Sequence, residues 1–340
     1  MDIRTKLVFA LVAVALGSMF VLGWVMSSRA EVALRESRLE ELEGLAEAKK
    51  EGLEQVFQGW VDRVTLVASR QPLKENLQAF NEGRTPEATG AIRVILEEAV
   101  RGVHVIAGLA VYDPQRRLVA QAGRGVNGDT PVEASTFTRP VAPGVFYQGL
   151  TENGENTTLV RFVANLTTRQ GILLGNLHIS FDARDLLELA GRGVGLGESG
   201  EVDLDGDGHP RILNRSRSSG NRIWTRVEGD LGADPVQMAL AGEEGVHWEG
   251  VTDDRGNRVW AAVRFLPEPG WGLVLKVDAR EARAPIGAFR EQALRLTLSL
   301  GAFAIVLGVL LGFQFSKPIL KLVEITDELR SGNFSARAPV

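Results

Sequence analysis

Five polar and aromatic residues in the middle of the chain have the chemistry needed to bind a small charged molecule. A ligand pocket needs polar groups that converge in a largely apolar site, and arginine pairs well with carboxylates and phosphates. A surface position or a structural ion pair would explain each residue equally well. As a group they predict an anionic or zwitterionic ligand, bound by Tyr112, Asp113, Arg139, Tyr147 and Arg161.

Two further motifs resemble ligand-binding loops but lack required parts. Residues 195–200 read Gly-x-Gly-x-x-Gly, yet a dinucleotide site needs a strand before this motif and a helix after it, and the predicted order is the reverse. The first positions of a calcium-binding loop are matched by Asp203, Asp205 and Asp207, but the twelfth position is Asn214 instead of glutamate. We therefore interpret the first motif as a linking loop and the second as a polar β-turn.

The remaining composition excludes several classes of function. The net charge of -5 argues against nucleic acid as a partner, and the chain has no cysteine. The four histidines stand far apart, and there is no nucleophile elbow or phosphate-binding loop, so we expect no metal, no cofactor and no catalytic residue. A basic cluster indicates a solvated face or, alternatively, attraction to anionic headgroups; it comprises Arg211, Arg215, Arg217, Arg222 and Arg226.

The candidate ligand residues lie among short predicted strands. Apolar runs and turn signals predict a hairpin, then a three-stranded meander, then a helix opened by an acidic cap at Asp182. The same order recurs further on, and Phe181-Asp182-Ala183-Arg184-Asp185 resembles Val277-Asp278-Ala279-Arg280-Glu281. The sequence therefore predicts two copies of an α+β module built on antiparallel sheets, with strands at 105–112, 118–120, 145–150, 158–166 and 172–181, and again at 201–204, 211–213, 245–252, 258–266 and 271–277.

Two uncharged stretches, residues 7–26 and 296–315, predict membrane-spanning helices. Each has about 20 residues, enough to cross roughly 30 Å of hydrocarbon. A cleaved signal peptide is the alternative for the first stretch, but its apolar run is longer than is usual there. Both short ends carry Lys or Arg, so we expect both termini in the cytoplasm and residues 27–295 mostly outside.

A heptad-like apolar stripe follows the first span and predicts a long stalk helix that ends near Pro72. Lys49 interrupts the stripe. The stripe could pack against the chain's own sheets or against a second copy of the helix, and the apolar pattern is consistent with either partner. Its members are Leu39, Leu42, Ala46, Leu53, Val56, Trp60, Val64 and Val67.

This order of elements resembles the double Cache sensors, in which a long helix rising from the membrane carries two stacked PAS-like modules. The likeness covers residues 29–290 and is strongest in residues 195–201, 242–245, 248–250 and 270–274. It implies a receptor that binds a small molecule outside the cell, in the membrane-distal module. Amino-acid-binding members share an Arg-x-Trp-Tyr run, but residues 78–190 contain no tryptophan, which argues against an amino-acid ligand.

After the second span the sequence resembles the first helix and connector of a HAMP signalling domain. The matching residues are Pro318, Leu322, Thr326, Leu329, Gly332, Asn333 and Phe334, and we expect signalling roles for Pro318, Leu322, Glu324, Leu329 and Gly332. A second HAMP helix would follow, so this resemblance implies a longer receptor whose output is a histidine kinase, a diguanylate cyclase or a chemotaxis domain.

Together these features predict the sensory input portion of a homodimeric receptor in the bacterial inner membrane. The alternatives are a membrane-anchored extracytoplasmic enzyme or binding protein without signalling, and a structural dimerisation module. The expected segments are a cytoplasmic tip and first span (1–28), the stalk (29–77), a distal module (78–192), a proximal module (193–290), the second span (291–315) and the start of HAMP (316–340).

Overall fold

The computed structural model describes residues 3–330 apart from residues 84, 125–137, 153–157, 192–195, 197–198, 207–211, 215–222, 226–233, 250 and 254–255. The chain divides into two compact units. One comprises Met1–Arg38 with Ala282–Val340, and the other comprises Leu39–Glu281. Gly332 and its HAMP-like neighbours lie outside the described residues.

The first unit is built from the two ends of the chain, which belong to the long helices α1 (Ile3–Ala68) and α6 (Ala279–Arg330). Both contain a stretch long and apolar enough to cross a membrane. A methyl group added at Gly301 would lie 3.3 Å from Leu16 Cδ2, and one at Gly308 would lie 2.7 Å from Val12 Cγ2. The helices are therefore antiparallel neighbours that approach closely at glycines.

The second unit contains a six-stranded antiparallel sheet, here called the first sheet, in the order β2-β1-β6-β5-β4-β3. Two amphipathic helices precede it. In α2 the buried residues are Leu73 and Leu77, one turn apart, and Pro72 lies in its first turn, where a proline needs no hydrogen-bonded N–H. The elements are α2 (Gln71–Gly83), α3 (Pro86–Gly102), β1 (Ile106–Tyr112), β2 (Leu118–Gly123), β3 (Arg139–Ala142), β4 (Val145–Glu152), β5 (Thr158–Thr167) and β6 (Leu173–Asp182).

A short helix leads to a four-stranded antiparallel sheet, the second sheet, in the order β10-β11-β12-β7. One of its faces packs on α5 through Val236, Ala239, Val263 and Val274. The elements are α4 (Arg184–Gly191), β7 (Glu201–Gly206), a hairpin of β8 (Ile212–Asn214) and β9 (Ile223–Thr225), α5 (Pro235–Leu240), β10 (Gly245–His247), β11 (Val259–Leu266) and β12 (Trp271–Asp278). The expected α+β fold with antiparallel sheets is confirmed.

The core of the second unit lies where α1 meets both sheets. Trp60 stacks on Phe181 of the first sheet with ring centroids 5.5 Å apart. The ring of Phe57 lies 5.4 Å from Phe162 of the first sheet and 5.4 Å from Trp271 of the second. The apolar stripe of α1 therefore packs against the chain's own sheets.

Candidate functional site

Strand alternation gives the two faces of the first sheet different chemistry. Phe162, Ile179 and Phe181 are fully buried on the face that packs against α1. The opposite face carries Arg161 on β5, directly across from Ser180 on β6, and His178, which pairs with Ala110 and Val163 on either side. We call this opposite face the polar face and define it by Tyr112, Gln148, Thr151, Arg161 and His178.

The aromatic part of the polar face is formed where β1 and β6 run side by side. The rings of Tyr112 and His178 have centroids 4.7 Å apart and are tilted by 59°. Arg161 interacts electrostatically with both residues. A guanidinium, a phenol and an imidazole therefore share one surface, and sequence reasoning had anticipated only the first two.

Partial burial changes the ionisation of these groups. Burial raises the pKa of Tyr112, and the neighbouring Arg161 opposes that rise. Burial lowers the pKa of Arg161. Burial and the charge of Arg161 together lower the pKa of His178 to about 4, so this imidazole is neutral at physiological pH. Among the described residues Arg161 has no carboxylate partner, which leaves a partly desolvated positive charge on the polar face.

Two buried polar atoms on β4 also lack a hydrogen bond within the described part of the chain, Gln148 Oε1 and Thr151 Oγ1. A bulge between Tyr147 and Gly149 places both side chains on the face that carries Arg161. Buried polar groups are normally satisfied, so unsatisfied ones beside a guanidinium are suited to receiving a ligand. Plain strand alternation from Tyr147 would have identified Gln148, but it would have placed Thr151 on the opposite face because it does not include the bulge.

Asp113 stabilises the turn between β1 and β2. Its buried carboxylate accepts hydrogen bonds from the backbone N–H groups of Gln115 and Arg117, both at 2.9 Å. The Arg117 side chain pairs with it at 2.7 Å. This carboxylate is thus fully engaged in a local turn.

Arg139 and Tyr147 instead connect the first sheet to the second. The Arg139 guanidinium donates to the carbonyl of Pro267 at 3.0 Å. Trp271 Nε1 donates to the hydroxyl of Tyr147 at 3.1 Å in a fully buried contact. The structure therefore brings Tyr112 and Arg161 together on the polar face and places Asp113, Arg139 and Tyr147 in other contacts.

The second sheet contains a buried ionic cluster that local sequence patterns do not predict. Lys276 lies 2.8 Å from Asp203 and 3.4 Å from Glu201, and all three side chains are at most 4% exposed. Asp203, the first residue of the calcium-like motif, thus pairs with a lysine, while Asp207 lies outside the described residues. No group of three or more potential metal ligands occurs in the described part of the chain.

No protein-family model matches the sequence, and no curated protein matches it. Solved structures do match. The ligand-binding domain of the Campylobacter jejuni chemoreceptor Tlp3, in complex with L-norvaline, has a TM-score of 0.54 at 10% identity, over 75% of this chain and 96% of that domain. The periplasmic sensory domain of C. jejuni Tlp1 has a TM-score of 0.55 at 10% identity, over 74% and 99%.

A domain of a sensory box/GGDEF family protein from Vibrio parahaemolyticus also matches, with a TM-score of 0.52 at 9% identity, over 73% of this chain and 99% of that domain. Identities this low establish the shared fold only. The chain has the fold of bacterial periplasmic sensory domains.

Proposed function

We propose that this chain is the sensory input portion of a bacterial transmembrane receptor, and that the polar face of its first sheet binds an extracytoplasmic small molecule. The observation that supports this most directly is the grouping of Arg161 with two unsatisfied buried polar atoms, Gln148 Oε1 and Thr151 Oγ1. The shared fold supports the same function, because the Tlp3 domain is a ligand-binding domain of a chemoreceptor.

The chemistry of the polar face favours an anionic or zwitterionic ligand. Arg161 offers a partly desolvated guanidinium, which binds a carboxylate or phosphate through charge-assisted hydrogen bonds. The neutral His178 and the phenol of Tyr112 add an aromatic wall. Gln148 Oε1 can accept from a ligand donor such as an ammonium group, and Thr151 can donate or accept.

Signal transfer would follow the long helices. We propose a double Cache arrangement in the inner membrane, with α1 and α6 as the spans and the region between them outside. The HAMP-like residues Pro318, Leu322, Glu324 and Leu329 belong to α6, which would pass the signal to a cytoplasmic output domain. A homodimer would give the paired helices that such a two-state element requires.

The test is a small-molecule screen by thermal shift on the full chain in nanodiscs, followed by calorimetry on each stabilising compound. Replacing Arg161 with glutamine should weaken binding of the confirmed ligand roughly 10- to 100-fold, because a charge-assisted hydrogen bond is lost. The matched control is Arg169→Gln, an exposed arginine in the turn after the same strand. Gln148→Ala should weaken binding to a smaller extent.

A ligand that binds equally well to the Arg161 and Gln148 variants would contradict the site. If that ligand were lost only on changes between residues 201 and 277, the site would belong to the second sheet and the receptor proposal would remain. If no stabilising compound were found and the intact receptor gave no response to any stimulus, the sensory function itself would be wrong.

A further inference from the structure

A cavity of about 470 Å³ lies at one end of the first sheet, and its lining includes none of the five residues that define the polar face. It forms where the end of α3 meets the start of β1, the end of β2 and the start of α4. Its volume is in the range of small-molecule pockets. Ile106 and Leu159 provide a buried apolar floor, being 3% and 1% exposed.

The walls of this cavity carry an excess of positive charge. Arg101, Arg124 and Arg184 line it from three separate segments, and Asp182 is its one acidic lining residue. Asp182 is already engaged, because Arg184 donates to it from Nε at 2.7 Å and from its backbone N–H at 2.9 Å. Two guanidiniums, those of Arg101 and Arg124, therefore remain without a carboxylate on the cavity wall.

Neither remaining arginine has a strong partner elsewhere in the described part of the chain. Arg101 Nη2 lies 3.5 Å from Glu97 Oε2, and the Arg101 side chain is 73% exposed. Such an exposed ion pair contributes little to stability. The side chain of Arg124 makes no hydrogen bond or ion pair with the described residues. Like charges gathered around one cavity repel each other unless an anion lies between them.

The backbone beside the cavity is shaped to place Arg124 there. A bulge between Ile106 and Gly108 leaves the Ala107 carbonyl free to accept from Arg124 N at 2.6 Å. Gly123 has φ +84°, and a side chain at that position would lie 2.4 Å from the same carbonyl oxygen. Bulges of this kind commonly direct side chains into functional sites.

We propose that this cavity is a second binding site, for a small soluble molecule with two anionic groups, which Arg101 and Arg124 would bind from two different segments of the lining. His104 lines the same cavity and can add a further hydrogen bond. The site uses none of the residues of the proposed ligand site on the polar face, so each proposal can be tested independently of the other.

The test is calorimetry on the full chain in nanodiscs of uncharged phosphatidylcholine, with sodium pyrophosphate as the probe, at fixed ionic strength and without divalent cations. Succinate is titrated in parallel to distinguish phosphoryl from carboxylate recognition. We expect one-site binding of at least one probe, weakened about tenfold or more by Arg101→Gln and by Arg124→Gln. Circular dichroism checks that each variant folds.

Two controls separate this site from general charge attraction and from the polar face. Arg93 is exposed on the same helix as Arg101, outside the cavity lining, and Arg93→Gln should leave the affinity unchanged. Arg161→Gln should also leave it unchanged. The proposal is overturned if neither probe binds, if Arg93→Gln weakens binding as much as Arg101→Gln, or if binding is lost only in the Arg161 variant.

Discussion

At the residue scale, His178 links the polar face to the stability of the fold. Its pKa falls from 6.5 to about 4 in the folded chain because of burial and of the nearby Arg161. The unfolded imidazole takes up a proton below about pH 6.5, whereas the folded one stays neutral down to about pH 4. Between these values the unfolded state binds more protons, so His178 makes the fold less stable as the pH falls.

We therefore expect the melting temperature of the full chain to fall between about pH 7 and pH 5 by more in the wild type than in His178→Gln. Above about pH 7 His178 contributes no pH dependence, because it is neutral in both states. Thermal unfolding at several pH values for both proteins provides the measurement. If the two profiles run parallel across this window, the lowered pKa of His178 is wrong.

Tyr147 gives a second prediction at this scale, because its hydroxyl accepts the buried N–H of Trp271. Tyr147→Phe would leave that donor without its acceptor, at a cost of about 1–3 kcal/mol in the free energy of unfolding. The chain has only two tyrosines, and Tyr112→Phe is the matched control because the described residues give the Tyr112 hydroxyl no hydrogen bond. Equal destabilisation by the two variants would contradict this assignment.

Sequence reasoning reached part of the candidate site at this scale. It identified Tyr112 and Arg161 from their residue types and strand positions, and the structure places both on one face. It could not separate them from Tyr147. A bulge in β4 determines which side chains lie on each face of the sheet, and no local sequence pattern predicts that bulge. The partners of Arg139 and Tyr147 lie on a different sheet, so these contacts depend on tertiary packing alone.

At the element scale, α1 holds the end of α4 through a buried lysine. Lys49 donates to the carbonyl oxygens of Leu189 and Ala190 at 2.9 and 2.8 Å. These carbonyls belong to the last turn of α4, where no following turn supplies backbone N–H donors. The same turn carries the negative end of the helix dipole. The residue that interrupts the apolar stripe of α1 is thus a helix cap supplied from another element.

Lys49→Met should therefore destabilise the fold by about 1–3 kcal/mol, since the carbonyls of Leu189 and Ala190 lose their lysine donor. The adjacent Lys50 provides the control because it pairs with Glu244 at 2.7 Å in a more exposed contact. Lys50→Met should cost about 0–1 kcal/mol. Chemical unfolding of the three proteins measures both values. A smaller loss for Lys49→Met than for Lys50→Met would show that the cap contributes little.

Element boundaries followed from local patterns where turn chemistry was strong. The hairpin at Asp113 and the meanders of both sheets were predicted because alternation and turn residues are local signals. The partner of the apolar stripe on α1 was not predictable, because a heptad-like seam packs equally well on a sheet or on another helix. Phe57 of α1 is not part of the predicted stripe, yet its ring contacts both sheets. This contact follows from the tertiary packing and not from a local pattern.

At the scale of the whole molecule, the two apolar helices would determine on which side of a membrane the region between them lies. The residue pairs in contact run in opposite order along α1 and α6, so the two helices form an antiparallel pair. Across a membrane, such a pair would place the N-terminal end of α1 and the C-terminal end of α6 on the same side. The basic residues Arg4, Lys6, Lys317 and Lys321 in those ends favour the cytoplasmic side.

This orientation can be tested cleanly because the chain contains no cysteine, so a single introduced thiol reports its own location. Arg169→Cys lies in an exposed turn of the first sheet and should react with an impermeant maleimide on intact spheroplasts. Thr5→Cys and Ser331→Cys should react only after the membrane is permeabilised. The same experiment separates an anchor from a cleaved signal, because cleavage near Ala30 would remove residue 5 and shorten the chain. Labelling of Thr5→Cys on intact spheroplasts, or its loss from the mature chain, would show that α1 does not hold the N-terminus in the cytoplasm.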